Sequence, residues 1–266
     1  MSNYNINIRF ICVLIMVLIN APAMAHNTLQ KTVKAVKPSI VGVGIYDPNL
    51  SPQNQLYGSG FVIGNGLYVV TNYHVVKPKE ILADKAHRVI FSGRGKKGDI
   101  RSVTIEAFSE QHDLALLKIQ GSALPALTLA KKSFRNDGEA IAFTGFPIGS
   151  VLGLYPATHQ GIIAATTPVV IPANDAKQLT AAQIKTLKNP FMIYQLDAVA
   201  YPGNSGSPLY LQDSGEVIGI INKVFVKRTK ESAISDPSGI TYAIPVRYLQ
   251  EMIQKENINI EYRASK

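Results

Sequence analysis

Three short segments of the chain carry side chains that can perform nucleophilic catalysis together. TNYHVV surrounds His74, HDLALLKI surrounds Asp113, and YPGNSGSP surrounds Ser205. They supply an imidazole, a carboxylate and a hydroxyl in the order His, Asp, Ser, spaced 39 and 92 residues apart. Serine is a poor nucleophile near neutral pH. It attacks a carbonyl when a neighbouring base takes its proton, and that base must be held in one tautomer. The chemistry implied is acyl transfer through a serine ester that water then releases.

Each segment alone is weaker evidence than the set. GNSG by itself is also an ordinary polar turn. Around Ser205, however, Gly203 and Gly206 allow a tight turn and keep side chains away from a substrate. The amides of Gly203 and Ser205, on either side of Asn204, can then converge on the oxygen that becomes negative in a tetrahedral intermediate. Losing one such donor costs about 100- to 1000-fold in rate. Five histidines follow residue 25, at positions 26, 74, 87, 112 and 159. His74 follows a strand pattern and precedes two valines, which places it at a cleft rim as the base. His112 adjoins the carboxylate and is expected to point away from the site. Asp113 opens an apolar strand and is read as the group that orients His74; its alternative role is a strand-start cap. Asp197, eight residues before Ser205, is its rival and is read as part of a pocket wall. No metal-ligand cluster is visible, and this chemistry calls for no metal and no cofactor.

These residues need a rigid frame. Most of the chain reads as short strands rich in Val, Ile, Thr, Tyr and Phe, punctuated by Gly, Pro, Asn and Asp. The first group is 40–45, 58–63, 67–71, 88–91, 100–108 and 114–119. The second is 140–145, 158–165, 192–196, 208–211, 217–226 and 239–243. Two groups of six predict an all-β chain of two six-stranded antiparallel barrels, an architecture that hides sheet edges. Strand pattern lapses between Gly121 and Asp137. The division expected is therefore 26–130 for a barrel with His74 and Asp113, and 131–266 for one with Ser205. Two helices are predicted. One starts at the capping box Thr180–Gln183, within a segment 166–191 that lies shortly before the nucleophile. The other follows Pro245, where Val246, Leu249, Met252 and Ile253 recur at helical spacing.

Residues 1–25 read as a secretory signal peptide. A near-neutral start with Arg9 precedes the apolar run FICVLIMVLI, and Ala23-Met24-Ala25 offers a small-x-small cleavage site. Cleavage there predicts a periplasmic or secreted protein with no transmembrane span. The one cysteine, Cys12, lies inside this segment, so the exported chain would hold no disulfide. Its net charge would be +8, one below the +9 of the whole chain. The basic clusters RGKKGDIR and KRTK lack interleaved aromatics, so they read as solvated loops and point to no specific nucleic-acid partner.

Taken together, GSGFVIGNGLYVVTNYHVV, HDLALLKI, FTGFPIG and LDAVAYPGNSGSP resemble the trypsin-like serine peptidases, nearest their bacterial HtrA-type branch. The resemblance spans roughly residues 38–248. It implies two perpendicular barrels with the triad in the cleft between them. It assigns His74 as general base and acid, Asp113 as orienter, Ser205 as nucleophile, and the amides of Gly203 and Ser205 as the oxyanion hole. Polypeptides are the implied substrates, and an oligomer is compatible with it. HtrA enzymes usually carry PDZ domains after the protease; only 21 residues follow Pro245 here, and none is expected. Ser207 stands where the family usually has glycine. Segment 166–191 is longer than the corresponding loop, and loops near it switch the oxyanion hole in the family; it is expected to gate the cleft.

Ile40-Val41-Gly42 resembles the new N-terminus that activates trypsin zymogens. The acid that would bind a freed ammonium is replaced by Asn204, so this segment is expected to be a plain strand. The specificity pocket is expected to involve Val199, Ile220, Ile221 and Asn222, giving a preference for aliphatic or small residues. The alternatives are a protease-shaped protein that binds peptides with little catalysis, and a serine esterase. Histidine preceding serine, and a strand following the serine, count against the esterase.

Overall fold

The structure, a computed structural model, describes residues 28–261 apart from 96–97, 132, 149–152, 170–189 and 223–238. The twelve expected strands are all present among them. β1 (Ile40–Tyr46), β2 (Asn54–Ile63), β3 (Tyr68–Thr71), β4 (His87–Ser92), β5 (Asp99–Ser109) and β6 (Leu114–Ile119) close in the order β1-β2-β3-β6-β5-β4. β7 (Ala140–Gly145), β8 (Ala157–Pro168), β9 (Met192–Asp197), β10 (Pro208–Leu211), β11 (Val217–Asn222) and β12 (Ile240–Pro245) close in the order β10-β11-β12-β9-β8-β7. All neighbouring strands run antiparallel.

Side chains on alternate residues of a strand point to opposite faces, and here both faces of several strands are covered. Val41, Val43, Val62, Val69, Ala115 and Leu117 pack together in one cluster. Their neighbours Ile40, Phe61, Ile63, Val70, Leu114 and Leu116 join a second cluster with Tyr210, Ile220, Ile244 and Leu249. One face of the first barrel thus fills its own interior, and the other packs towards the second barrel. That two-sided burial explains why LALLKI is apolar at nearly every position instead of alternating. A third cluster, with Ile141, Phe143, Ile163, Tyr194, Leu196, Leu209 and Ile221, belongs to the second barrel.

The stretch between the barrels is pinned to both. Leu127 N–H donates to Val62 O at 2.8 Å, and Ala130 N–H to Val217 O at 2.9 Å. The C-terminal helix follows Pro245 as expected, at Val246–Lys255, and buries Val246, Tyr248, Leu249, Met252 and Ile253. Pro245 ends β12 and is the residue from which the helix starts, with φ -56 and an extended ψ of 139.

Two details depart from expectation. An unforeseen helix, α1 (Thr28–Val36), buries Thr32 and Val36. It docks on the turn between β10 and β11, where Thr32 Oγ1 donates to Asp213 O at 3.4 Å. Second, Thr166–Pro168 are the end of β8, paired with Tyr194–Met192 of β9, and Val169 N–H donates to Phe191 O at 2.9 Å. Residues 166–169 and 191 of the expected segment therefore belong to the β8–β9 pairing. The segment's expected helix falls at 180–189, outside the described residues, as does the end of the expected strand 217–226. Ile40–Tyr46 is a plain barrel strand between β2 and β4. No helix among the described residues is long and apolar enough to cross a membrane.

Leu117 has no solvent exposure and sits among valines of β1, β2 and β3. Leu117→Ala is expected to lower unfolding free energy by about 2–5 kcal/mol, measured as a reduced urea midpoint at unchanged slope.

Candidate active site

Pairing of β3 with β6 sets Thr71 opposite Ala115, which brings the segments just beyond them together. After Thr71 the chain makes one helical turn, α2 (Tyr73–Val76), so His74 sits on a short helix and not on the strand end itself. Asp113 closes the turn begun at Glu110 and holds φ +51. Aspartate is one of the few side chains that tolerates this left-handed conformation. The turn is tied to α2 by its backbone: Asp113 O accepts from Tyr73 N at 3.2 Å and from Asn72 Nδ2 at 3.0 Å.

The carboxylate of Asp113 accepts three hydrogen bonds. Oδ1 takes His74 N–H at 2.9 Å, and Oδ2 takes His74 Nδ1 at 2.6 Å and Asn222 Nδ2 at 2.8 Å. A carboxylate can only accept, so Nδ1 must carry the proton, and Nε2 of the neutral ring is left with its lone pair. Asp113 is buried, while the His74 side chain keeps 34% of its surface. Asn222 closes β11 in the other barrel, so this carboxylate joins both halves of the molecule.

The nucleophile candidate lies in a tight turn. Ser207 N–H donates to Asn204 O at 3.0 Å, and Gly206, at φ +88, takes the left-handed place in it. A Cβ on Gly206 would lie 2.1 Å from Ser59 O, so no other residue fits there. The peptide planes around Ser205 are fixed one by one. Pro202 O accepts from Ile148 N at 2.7 Å, Gly203 O from Ser59 Oγ at 2.7 Å, and Ser205 O from Ser59 N at 2.8 Å. Asn204 N–H donates to Tyr201 O at 3.0 Å and Gly206 N–H to Ile221 O at 3.0 Å. Among the described residues, the N–H groups of Gly203 and Ser205 donate to nothing. In a planar trans peptide the N–H points opposite to the preceding carbonyl. With Pro202 O and Asn204 O both held back, these two N–H groups are turned away from Ile148 and Ser207.

The two parts meet at Gly58, where a Cβ would lie 2.8 and 3.0 Å from the Val75 methyls and 3.0 Å from Ser205 O. Val75 is the neighbour of His74, so the imidazole segment and the nucleophile turn share one contact point. The Ser205 hydroxyl itself donates to no acceptor among the described residues.

Other expected site residues land differently. Ile220 and Ile221 have no exposed surface and belong to the apolar clusters, so they offer no open pocket wall. Asn222 spends its side-chain amide on Asp113, and Asn204 spends its backbone amide on Tyr201 while its side chain is fully buried. Val199 is half-buried and Asp197 is exposed at the end of β9. His112 does turn away from the site; it stacks on Tyr248 at 4.7 Å and meets Phe191 edge-on. Ser59, Asn72 and Ile148 are structural partners that the motifs did not single out. No group of metal-ligating side chains occurs among the described residues.

Comparison with known proteins gives this geometry a family. The model of the trypsin-like peptidase domain matches residues 58–220, from Gly58 beside the nucleophile turn to the middle of β11. The chain belongs to that family. The mitochondrial serine protease HTRA2 of Drosophila pseudoobscura pseudoobscura is 33% identical over 199 residues, which is 74% of this chain and 38% of that protein. A probable periplasmic DegP-like serine endoprotease of Halomonas elongata is 31% identical over 74% of this chain and 34% of its own length. The chain thus spans well under half of the curated relatives it matches. A solved HtrA-type protease with a tripeptide superimposes with a TM-score of 0.60 at 25% identity, covering 85% of this chain and 62% of that one. A serine endoprotease from Yersinia pestis gives 0.58 at 25% identity, covering 86% and 66%.

Burial lowers the pKa of His112 and of His159; at His112 the facing charges Glu251 and Lys255 act in opposite directions. Both rings then bind protons less readily folded than unfolded. Stability should rise with pH through the window just below the ordinary histidine value, and fall as pH drops through it. Urea titrations from pH 7 to pH 5 are expected to show this decline, and a His112→Gln, His159→Gln double variant to flatten it.

Proposed function

We propose that the protein is an exported serine endopeptidase. Ser205 is its nucleophile, His74 its general base and then acid, and Asp113 the group that fixes the imidazole tautomer. The observation that carries this reading is the alternation of spent and unspent amides around Ser205. Two N–H groups, of Gly203 and Ser205, have no acceptor among the described residues and flank Asn204, which is what a developing oxyanion requires. The tautomer of His74 supports it, because only an unprotonated Nε2 can take the hydroxyl proton. Catalytic hydrogen bonds are often long before substrate binds, so an unengaged Ser205 hydroxyl suits a resting site.

In the mechanism, a peptide carbonyl enters with its oxygen towards the Gly203 and Ser205 amides. Ser205 Oγ attacks as His74 Nε2 takes its proton. Asp113 stays ionised and balances the imidazolium. His74 returns the proton to the leaving amine, the peptide C–N bond breaks, and an acyl-enzyme remains. Water, deprotonated by the same imidazole, releases the acid. Polypeptides are proposed as substrates, with a small or aliphatic residue before the scissile bond because Val199 is apolar. Export rests on the apolar segment before residue 25 and on the periplasmic designation of the Halomonas relative.

A fluorophosphonate probe with peptide mapping is expected to label Ser205, and casein to be turned over. Ser205→Ala should lower turnover by on the order of a millionfold, and Asp113→Asn by about 10⁴ through the wrong tautomer. Folded protein that neither labels nor cleaves would favour a peptide-binding protein on a protease frame.

A further inference from the structure

The nucleophile turn belongs to the second barrel, yet two of its carbonyls are held by one residue of the first. Ser59, in β2, donates its backbone N–H to Ser205 O at 2.8 Å and its hydroxyl to Gly203 O at 2.7 Å. The hydroxyl oxygen also accepts Phe146 N–H at 2.8 Å. That third bond matters, because it occupies a lone pair and leaves the Ser59 proton to point at Gly203 O. Ser59 O in turn accepts Thr71 Oγ1 at 2.7 Å and lies against Gly206. Ser59 has no exposed surface, so water cannot substitute for any of these bonds.

We propose that Ser59 is a positioning residue for the oxyanion hole, acting through the carbonyls of Gly203 and Ser205. This rests on the reading of Ser205 as nucleophile. The logic follows from the order of the peptide planes. Four consecutive carbonyls, from Pro202 to Ser205, are each held by a separate donor. Ile148 and Ser207 hold the two whose planes carry the unspent N–H groups. Ser59 holds the two that alternate with them. Gly203, at φ +98, has the conformational freedom that makes an external restraint on its plane necessary. Without the Ser59 hydroxyl, Gly203 O loses its donor and Phe146 N–H loses its acceptor. The Gly203–Asn204 plane can then turn, and because it joins the two planes that carry the Gly203 and Ser205 N–H groups, their relative orientation loses its restraint. The loss falls on the charged intermediate and not on the bound peptide.

The test compares Ser59→Ala with the natural protein, using a small peptide substrate and a peptidyl boronate that forms a tetrahedral adduct on serine. Ser59→Ala is expected to lower kcat by about 10- to 100-fold, somewhat less than removing an oxyanion donor outright, with KM changed less than about threefold. Boronate affinity should fall by a similar factor. In a Ser205→Ala background, affinity for the uncleaved peptide should not change when Ser59→Ala is added. Ser59→Thr, which keeps the hydroxyl, should recover most of the rate. If Ser59→Ala does not fold, Ser59→Cys gives the same comparison with a weaker donor of similar size. Unchanged kcat and boronate affinity in a folded variant would overturn the role of Ser59, as would a loss confined to KM. If the natural protein forms no boronate adduct at Ser205, the nucleophile reading fails first and this inference falls with it.

Discussion

The carboxylate of Asp113 is the interaction on which the rest of the site depends. It is buried, and it accepts from the backbone and side chain of His74 in one barrel and from Asn222 in the other. A buried carboxylate without such partners would be strongly disfavoured. The two barrels must therefore dock in one register for this group to be satisfied. When they do, His74 is held in one tautomer, and the end of β11 is fixed beside the turn that carries Ser205. The same three bonds thus serve cohesion between the barrels and orientation of the imidazole.

The turn that carries Ser205 is built on a related principle. Among the described residues, most of its backbone polar groups are committed, while the N–H groups of Gly203 and Ser205 are not. Several constraints converge there. Gly206 is pressed against Ser59 O, Ile148 holds Pro202 O from a left-handed backbone conformation unusual for a β-branched residue, and Ser207 closes the turn. Preorganisation of this kind removes the reorganisation cost at the moment charge develops. It also explains why so much of the restraint comes from outside the turn: a segment with two glycines cannot hold its own peptide planes.

Much of this was legible in the sequence, for identifiable reasons. The strands were visible because Val, Ile and Phe recur in short runs between turn residues, and Leu114–Ile119, Ala140–Gly145 and Pro208–Leu211 match the expected bounds. His74, Asp113 and Ser205 stand out as candidates because each sits in a distinctive local setting. What was not legible depends on distance along the chain. Ser59 reaches Phe146 and Gly203, 87 and 144 residues away, and no local pattern announces such partners. Ile220 and Ile221 show a related limit: both are fully buried in β11, and strand positions buried on both faces look the same in sequence as pocket-lining ones. Helix α1 was missed because its residues TLQKTVKAV are mostly polar and short, with just Thr32 and Val36 fully covered.

The most direct test is the tautomer of the His74 ring, read by ¹⁵N NMR of the natural protein above the pH at which the imidazole loses its charge. The account requires the proton on Nδ1, bonded to Asp113, with Nε2 bare, and it requires Asp113→Asn to shift the ring towards the other tautomer. A proton resting on Nε2 in the natural protein would leave the ring unable to accept from Ser205, and would contradict the account.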